Sequence, residues 1–238
     1  HHLGRSQEEH QDALAELCSA MSHVAAKNPI AWAQEALSAE QVRTVTEKNR
    51  YIGYPYTKSM NSILAVDMGA SVVMTTVGKA RELGIDSSQW IYLRGGVDLN
   101  DIWHISERPG LHESPAIRLG WSKLSEATGV DIDEVTDFDL YSCFPCAVQV
   151  TCNEIGLSAQ DRRGVTVTGG LPYMGGPGNN YSLHGIAEMT ARLRKRDKGF
   201  GLVTANGLYL TKHSLGLYST EPADSQWVTV NSDSLQKQ

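Results

Sequence analysis

The sequence predicts a layered α/β fold built around a mainly parallel sheet. Its 238 residues, 41% of them hydrophobic, suffice for one large or two small packed domains. Helix-start patterns with periodic apolar positions alternate along the chain with short runs of strand-forming residues. Such alternation is typical of α/β folds, because helices cross over between neighbouring strands.

The first element is a helix predicted over residues 5–27. Ser6 and Glu9 have the spacing of a capping box, in which each side chain binds the other residue's backbone N–H. Apolar residues then recur with the helical period. Residues 28–62 are predicted to be irregular and to lie over the core, with a short helix at 31–37.

The middle of the chain predicts two more helices and a strand. Small apolar residues in 65–83 favour a tightly packed helix followed by a strand or a second helix. Residues 90–96 are rich in β-formers and end in glycines, which favours a strand. The pair Ser114-Pro115 begins a helix that ends before Gly129, with Pro in the first helical position.

The last hundred residues alternate between short strands and helices. Strands are predicted at 138–142, 165–168, 201–204 and 209–211, and helices at 145–155 and 181–196. The glycine-rich stretch 166–181 connects a predicted strand to a predicted helix. Bare backbone N–H groups at a helix N-terminus favour an oxyanion, a thioester or a phosphate, whereas the alternative is a tight connection with no ligand.

Composition excludes several classes of function. A net charge of −6 and a pI near 5.7 argue against a general nucleic-acid or anionic membrane surface. No apolar run approaches the roughly 20 residues of a membrane span, and no signal-peptide pattern is present. Four cysteines are too few for a disulfide framework at this length, so we expect a cytoplasmic protein with free thiols.

Cysteine and histidine residues give candidates for chemistry. Cys143 and Cys146 form a C-x-x-C at a strand-to-helix turn, where a redox dithiol would sit, although no thioredoxin-like unit precedes it. No second C-x-x-C supports zinc, so no metal site is predicted. His184, in the first turn of a helix, is a candidate neutral proton acceptor or a surface cap. His213 follows a predicted strand and would by itself be a surface residue.

Three segments, in order, resemble the C-terminal half of thiolases. They are DLYSCFPCAVQ at 139–149, the glycines of 169–178, and TANG at 204–207. They are most similar to the thiolase-like or sterol-carrier-type acetyl-CoA acetyltransferases of actinobacteria. Residues 65–71 resemble the family's "DGAAA" stretch, and residues 5–62 resemble its loop domain.

The resemblance implies a thiolase fold, a layered α-β-α arrangement with a mixed, mainly parallel sheet. Of its two similar halves, only the C-terminal half and the loop domain are well represented. We therefore divide the chain into a loop-domain-like segment at 1–62, the end of the N-terminal half at 63–97, the C-terminal half at 98–220, and a tail or linker at 221–238. The family's nucleophilic cysteine would lie upstream of these residues.

The resemblance also reveals altered catalytic loops. Gly176 occupies the position of the family's "GHP" histidine, and Ala205 that of the second acid/base cysteine. The "NEAF" or "HDCF" motif reads Tyr141-Ser142-Cys143-Phe144 here. Glycine and alanine cannot transfer a proton, which argues against standard thiolase chemistry.

The site residues follow from these motifs. We expect four catalytic side chains, which flank the family's catalytic loops: Tyr141, Cys143, His184 and His213. We expect four substrate-binding residues within those loops: Gly175, Gly176, Asn206 and Gly207.

The resemblance implies an acyl-CoA C-acyltransferase of lipid or steroid metabolism, with a coenzyme A thioester as substrate and no separate cofactor. The expected partners are acyl-CoA and a second copy or a partner subunit, with no nucleic acid and no membrane. Two alternatives stay open. One is a degenerate protein that binds acyl-CoA or a partner without turnover, and the other is a retro-aldolase half that needs an OB-fold partner.

Overall fold

The structure is a computed structural model, which describes residues 2–224 and 226–237. Its helices are α1 (Gln7–Ala25), α2 (Ala39–Arg43), α3 (Val77–Glu82), α4 (Pro115–Thr128), α5 (Pro145–Ile155) and α6 (Tyr181–Leu193). Its strands are β1 (Tyr51–Gly53), β2 (Tyr56–Thr57), β3 (Tyr92–Asn100), β4 (Val135–Asp139), β5 (Phe200–Gly207), β6 (Lys212–Ser219) and β7 (Gln226–Thr229).

Five strands form one mixed sheet in the order β4-β5-β6-β3-β7. The β4–β5 and β3–β7 pairs are parallel. The β5–β6 and β6–β3 pairs are antiparallel, since a four-residue connection turns β5 directly back as β6. The predicted α/β class and mixed sheet are confirmed. Strands β1 and β2 form a separate two-stranded ribbon.

Helices cover both faces of this sheet. Helix α4 packs on β3 and against α5, and α1 contacts α5. On the other face, α6 packs on β5 and β4. Successive side chains of β5 point to opposite faces of the sheet. Leu202 therefore belongs to the main core, whereas Val203 packs with Met189 of α6. The layered α-β-α arrangement is therefore confirmed.

Local capping signals place the best-predicted helices. Ser6 accepts from the backbone N–H of Glu9, whose side chain accepts from the backbone N–H of Ser6, so the capping box of α1 is confirmed. Ser114 caps α4, Pro115 opens it, and Gly129 ends it with a left-handed φ of 67°. Helix α5 spans the predicted residues 145–155.

Two predicted helices are wrong. Residues 31–37 are irregular, and the helix begins later, after the cap at Ser38. Residues 65–76 are not helical, so the first helix expected in 65–83 is wrong. The alternative of a second helix in that range matches α3, which starts at Val77 after the cap at Thr76. The run Ser71 to Thr76 is rich in β-branched residues, which lower helix propensity. Its residues are exposed, so packing does not override that preference.

Two predicted strands are also wrong. Residues 165–168 lack strand geometry, because the Asp139 carboxylate rather than a neighbouring strand accepts the backbone N–H groups of Val167 and Thr168. Residues 209–211 lie in the turn between β5 and β6, where Leu208 and Leu210 adopt φ values of 56° and 49°.

Two predicted domain boundaries lie at strands of this sheet, and the division into domains stays a prediction. The division between residues 97 and 98 falls inside β3, which is a single strand. The predicted tail at 221–238 contributes β7, which pairs in parallel with β3. Both segments therefore belong to the same sheet. Over the residues that the structure describes, none of the helices is long and apolar enough to span a membrane.

Candidate functional site

The candidate site lies where β4 and β5 end. These strands are parallel, so their carboxyl ends share one edge of the sheet, which is where α/β folds commonly bind ligands. Residues 140–143 follow β4, and Ala205 to Gly207 end β5. The backbone N–H of Tyr141 donates to Thr204 Oγ1 at 2.9 Å, which ties the two strand ends together.

Cys143 and Asn206 meet at this edge. Asn206 Nδ2 lies 3.8 Å from Cys143 Sγ and donates to it. Burial raises the pKa of the Cys143 thiol, and the hydrogen bond from Asn206 opposes that rise by stabilising the thiolate. Ser62 Oγ donates to the Cys143 carbonyl at 3.0 Å, which connects the site to the segment that precedes residue 65.

His213 lies next to Asn206 across the β5–β6 pair, in direct antiparallel register. Its side chain is 4% exposed. Nε2 lies 3.0 Å from the Leu210 carbonyl oxygen and 3.4 Å from Ser114 Oγ. Burial lowers the pKa of His213, so the neutral imidazole is favoured. The surface histidine expected from sequence alone is therefore a buried one.

Two cavities flank this strand pair. The larger, of about 540 Å³, is lined by Asp98, Leu99, Asn100, Ala205, Asn206, Gly207, Lys212, His213, Ser214 and Val230. The smaller, of about 10 Å³, is lined by Ile117, Tyr141, Thr151, Thr204, Ala205, Asn206, His213 and Leu215. Ala205, Asn206 and His213 line both. The larger has the size of a ligand pocket, whereas the smaller holds about one water molecule.

The structure thus brings together most of the predicted site. Tyr141, Asn206 and His213 share the smaller cavity, and Cys143 joins them through Asn206. Gly207 lines the larger cavity. The Tyr141 ring also packs edge-on against the ring of Tyr181 at 5.5 Å.

The glycine-rich loop is closed rather than open. Gly175 and Gly176 are buried, and the N–H of Gly176 donates to the Ile63 carbonyl at 2.8 Å. A Cβ added at Gly176 would lie 3.2 Å from that carbonyl oxygen and 3.3 Å from Ser62 Cβ. The N–H of Gly176 therefore already has an acceptor in this structure, and its role in substrate binding stays a prediction.

His184 is separate from this cluster. It is buried on α6, and its side chain forms no hydrogen bond with another described residue. Its Nε2 is an enclosed atom without a partner there. Burial lowers its pKa, which keeps the ring neutral. The structure shows no contact between His184 and Cys143 or Asn206, so its catalytic role stays a prediction.

Asp139 is a central buried residue to which no sequence motif assigned a role. Its Oδ1 accepts from the hydroxyls and backbone of the loop after residue 165: Thr166 Oγ1 at 2.6 Å, Val167 N at 3.1 Å, Thr168 N at 3.3 Å and Thr168 Oγ1 at 3.1 Å. Burial raises the pKa of the Asp139 carboxyl against these hydrogen bonds. A strand that ends in Asp before a later Thr-x-Thr was the available signal.

The cysteines are free thiols in this structure. Cys18 and Cys152 are buried, and burial raises the pKa of each to about 12. Cys143 and Cys146 are half-buried at the start of α5. Among the described residues, no group of three or more His, Cys, Asp or Glu side chains is placed to hold a metal ion.

The chain is similar to solved structures of known proteins. No protein-family model and no curated protein matches the chain. A monomeric SCP2-thiolase-like protein type 1 from Mycobacterium smegmatis is 42% identical, with a TM-score of 0.88. The match covers 99% of this chain and 51% of that protein, so the chain spans about half its length.

Two more distant structures share the fold. The Ltp2-ChsH2(DUF35) aldolase is 16% identical with a TM-score of 0.64, over 89% of this chain and 59% of that one. The dimeric peroxisomal thiolase of Saccharomyces cerevisiae is 14% identical with a TM-score of 0.63, over 91% and 56%. At these identities the likeness shows the fold alone.

Proposed function

The chain belongs to the SCP2-type thiolase-like proteins, and from that premise we propose that it carries half of the site of an acyl-CoA C-acyltransferase. The substrate class is a coenzyme A thioester of lipid or steroid metabolism, and the proposal requires no separate cofactor. The nucleophile that accepts the acyl group would be a cysteine outside these residues. The residues of this chain would bind the thioester, stabilise negative charge on its oxygen and accept a proton from it.

One observation carries this proposal. Asn206 and His213 lie side by side, and both line a cavity of about 540 Å³ at the edge of the sheet. Ligand pockets of this size are typical for small molecules and commonly hold a few convergent polar groups. Lys212 lines the same cavity and supplies a cation for an anionic group such as a CoA phosphate.

The chemistry follows from the donor and acceptor atoms. Carbon–carbon bond formation or cleavage next to a thioester places negative charge on the carbonyl oxygen. The Asn206 amide can donate a hydrogen bond to that oxygen. His213, kept neutral by burial, can accept a proton, and Cys143 offers a thiol 3.8 Å from the Asn206 amide.

Gly176 and Ala205 favour a second candidate function, the binding of acyl-CoA without turnover. Neither residue can transfer a proton. The close approach of Gly176 to Ile63 and Ser62 also leaves little space for a larger side chain at that position. A protein of this kind would retain the pocket and its charges while lacking the family's acid and base.

Calorimetric titration of the purified protein with acetyl-CoA and with CoA tests both candidates. Binding of acetyl-CoA, weakened by Asn206→Ala and unchanged by Asn153→Ala, supports a thioester site at Asn206. Asn153 is a matched control because it is exposed on α5. Cleavage of acetoacetyl-CoA in the same samples favours the acyltransferase, and binding without cleavage favours the second candidate. An absence of binding overturns both.

A further inference from the structure

Three buried polar side chains form a chain of hydrogen bonds behind the candidate site. Ser114 Oγ donates to Asp101 Oδ2 at 2.6 Å and lies 3.4 Å from His213 Nε2. The exposed fractions are 0% for Ser114, 2% for Asp101 and 4% for His213. Burial of three polar groups costs folding free energy unless they form hydrogen bonds with one another. The arrangement joins the end of β3, the start of α4 and the start of β6.

The partners of His213 determine where its proton lies. Nε2 is 3.0 Å from the carbonyl oxygen of Leu210, which can only accept. The hydroxyl proton of Ser114 is directed at Asp101, so Ser114 Oγ also faces Nε2 as an acceptor. Two acceptors require a proton on Nε2. In the neutral ring, Nδ1 then carries the lone pair.

Nδ1 is the open side of this ring. It forms no hydrogen bond with another described residue, yet it is not among their enclosed polar atoms that lack a partner. His213 shares a side of the sheet with Asn206, and the smaller cavity lined by Tyr141 is on that side. That cavity has room for about one water molecule.

We propose that Ser114 and Asp101 are positioning residues, which hold His213 as the tautomer with its proton on Nε2 and a bare Nδ1 as the proton acceptor of the site. This proposal rests on the proposed function for the identity of the substrate, a CoA thioester. The α C–H bond breaks, and its electron pair moves onto the thioester oxygen. One water molecule takes this proton and gives another to Nδ1, which leaves an imidazolium on His213.

The charges around His213 fit this role. Burial lowers the pKa of His213, as does the Arg108 guanidinium, whereas the hydrogen bond with the Leu210 carbonyl and the charge of the Asp101 carboxylate raise it. Arg108 donates to Thr211 Oγ1 and to the Tyr209 and Ile102 carbonyls. A further nearby charge, Glu154, accepts from the Ser114 backbone N–H and pairs with Arg118. Asp101 is thus the charged group that favours a proton on His213, in addition to the Leu210 carbonyl.

The test is a pH titration of the protein labelled with ¹⁵N-histidine, followed by long-range ¹H–¹⁵N correlation spectra, with His213→Gln assigning the signals. The neutral ring is expected to carry its proton on Nε2. Asp101→Asn keeps an acceptor for Ser114 but removes the charge, and is expected to lower the pKa of His213 by about one unit. A proton on Nδ1, or an unchanged pKa in Asp101→Asn, overturns the proposal.

Variants at Ser114 separate positioning from folding. Ser114→Ala also removes the cap of α4, whereas Ser114→Thr keeps a hydroxyl for both roles. If Ser114→Ala lowers the pKa of His213 and Ser114→Thr restores the value of the unaltered protein, the positioning role is supported. An unshifted pKa of His213 in Ser114→Ala overturns it. Ser122→Ala, exposed on the same helix, is the control. If the spectra show the proton on Nε2 but the protein does not exchange the α-hydrogens of acetyl-CoA, the positioning role is supported. The proposed thioester chemistry is then overturned.

Discussion

Asn206 is the antiparallel register partner of His213, and its amide nitrogen also lies 3.8 Å from Cys143 Sγ. Asn206 thus lies opposite the histidine on β6 through strand pairing, and its side chain contacts the thiol just before α5. Asn206 also lines both cavities. We therefore place the centre of the site at Asn206.

Asn206→Ala is expected to slow alkylation of Cys143 by about fivefold at neutral pH, because a hydrogen bond to the sulfur is worth about 1 kcal/mol. Removing the amide leaves burial to raise the pKa of the thiol further, which lowers the thiolate fraction. Mass spectrometry of iodoacetamide-treated protein over a pH series measures the rate at Cys143. Asn153→Ala should leave it unchanged. An equal rate in Asn206→Ala would show that the amide does not stabilise the thiolate.

Asp139→Ala is expected to lower the free energy of unfolding by about 3 kcal/mol, because it leaves several buried donors without an acceptor. Those donors are the hydroxyl of Thr166 and the hydroxyl and backbone N–H of Thr168, among others. Urea unfolding measures the loss. A loss below about 1 kcal/mol would mean that the loop finds other acceptors.

The same carboxyl predicts a pH dependence of stability. Burial raises the pKa of Asp139 above 3.8, so the folded protein holds this proton more tightly than the unfolded chain. The stabilisation that this proton provides is fully present below the pKa of Asp139 in the unfolded chain. It is lost as the pH rises through the pKa of Asp139 in the folded protein. Stability relative to Asp139→Asn should therefore decline as the pH rises from about 4, which urea titrations at several pH values can follow. A rise over the same window would contradict the assigned direction.

Gly169→Ala is expected to cost about 3–5 kcal/mol, through backbone strain and overpacking together. Gly169 has a φ of 111°, and an added Cβ would lie 2.5 Å from the Cβ of Ala25 on α1. Gly164→Ala is the matched control: its φ is 77°, and its Cβ would meet nothing within 4 Å, so a cost of about 1 kcal/mol is expected. If urea unfolding shows equal losses of unfolding free energy for Gly169→Ala and Gly164→Ala, the loop does not pack closely on α1.

Lys212→Ala is expected to weaken acetyl-CoA binding on the order of fivefold at low salt, with a smaller effect at high salt. Lys212 lines the larger cavity, and its Nζ lies 5.9 Å from the centre of the Trp103 ring. Titration calorimetry at two ionic strengths measures the change. The control is Lys195→Ala, because Lys195 is exposed just after α6. This variant should bind acetyl-CoA as the unaltered protein does. A salt-independent loss would indicate a packing effect instead.

Local signals correctly predicted helices α1 and α4. The capping box at Ser6, the Ser114-Pro115 start and the left-handed Gly129 act within a few residues, so α1 and α4 are readable from the chain itself. The strand predicted at 165–168 was wrong for the opposite reason. Its backbone partner is the side chain of Asp139, which is distant in sequence, and no local pattern reveals such a bond.

The site was predicted in part. Motif resemblance named Tyr141, Asn206 and His213, which the structure places around one small cavity. It could not reveal that Ser114, 99 residues from His213, would contact the ring, because that contact depends on how α4 packs against β6. Nor could it reveal that the N–H of Gly176 is already donated to Ile63, since the segment at 62–63 lies over the loop only in the folded chain.

The most direct test of a thioester site centred on Asn206 is the exchange of acetyl-CoA α-hydrogens with deuterium oxide, followed by NMR. The purified protein is expected to accelerate exchange, and Asn206→Ala to reduce that acceleration by about 100-fold, as for loss of an oxyanion donor. Asn153→Ala should exchange at the unaltered rate. Exchange no faster than in buffer, or exchange equally fast in Asn206→Ala, would contradict the assignment of the site.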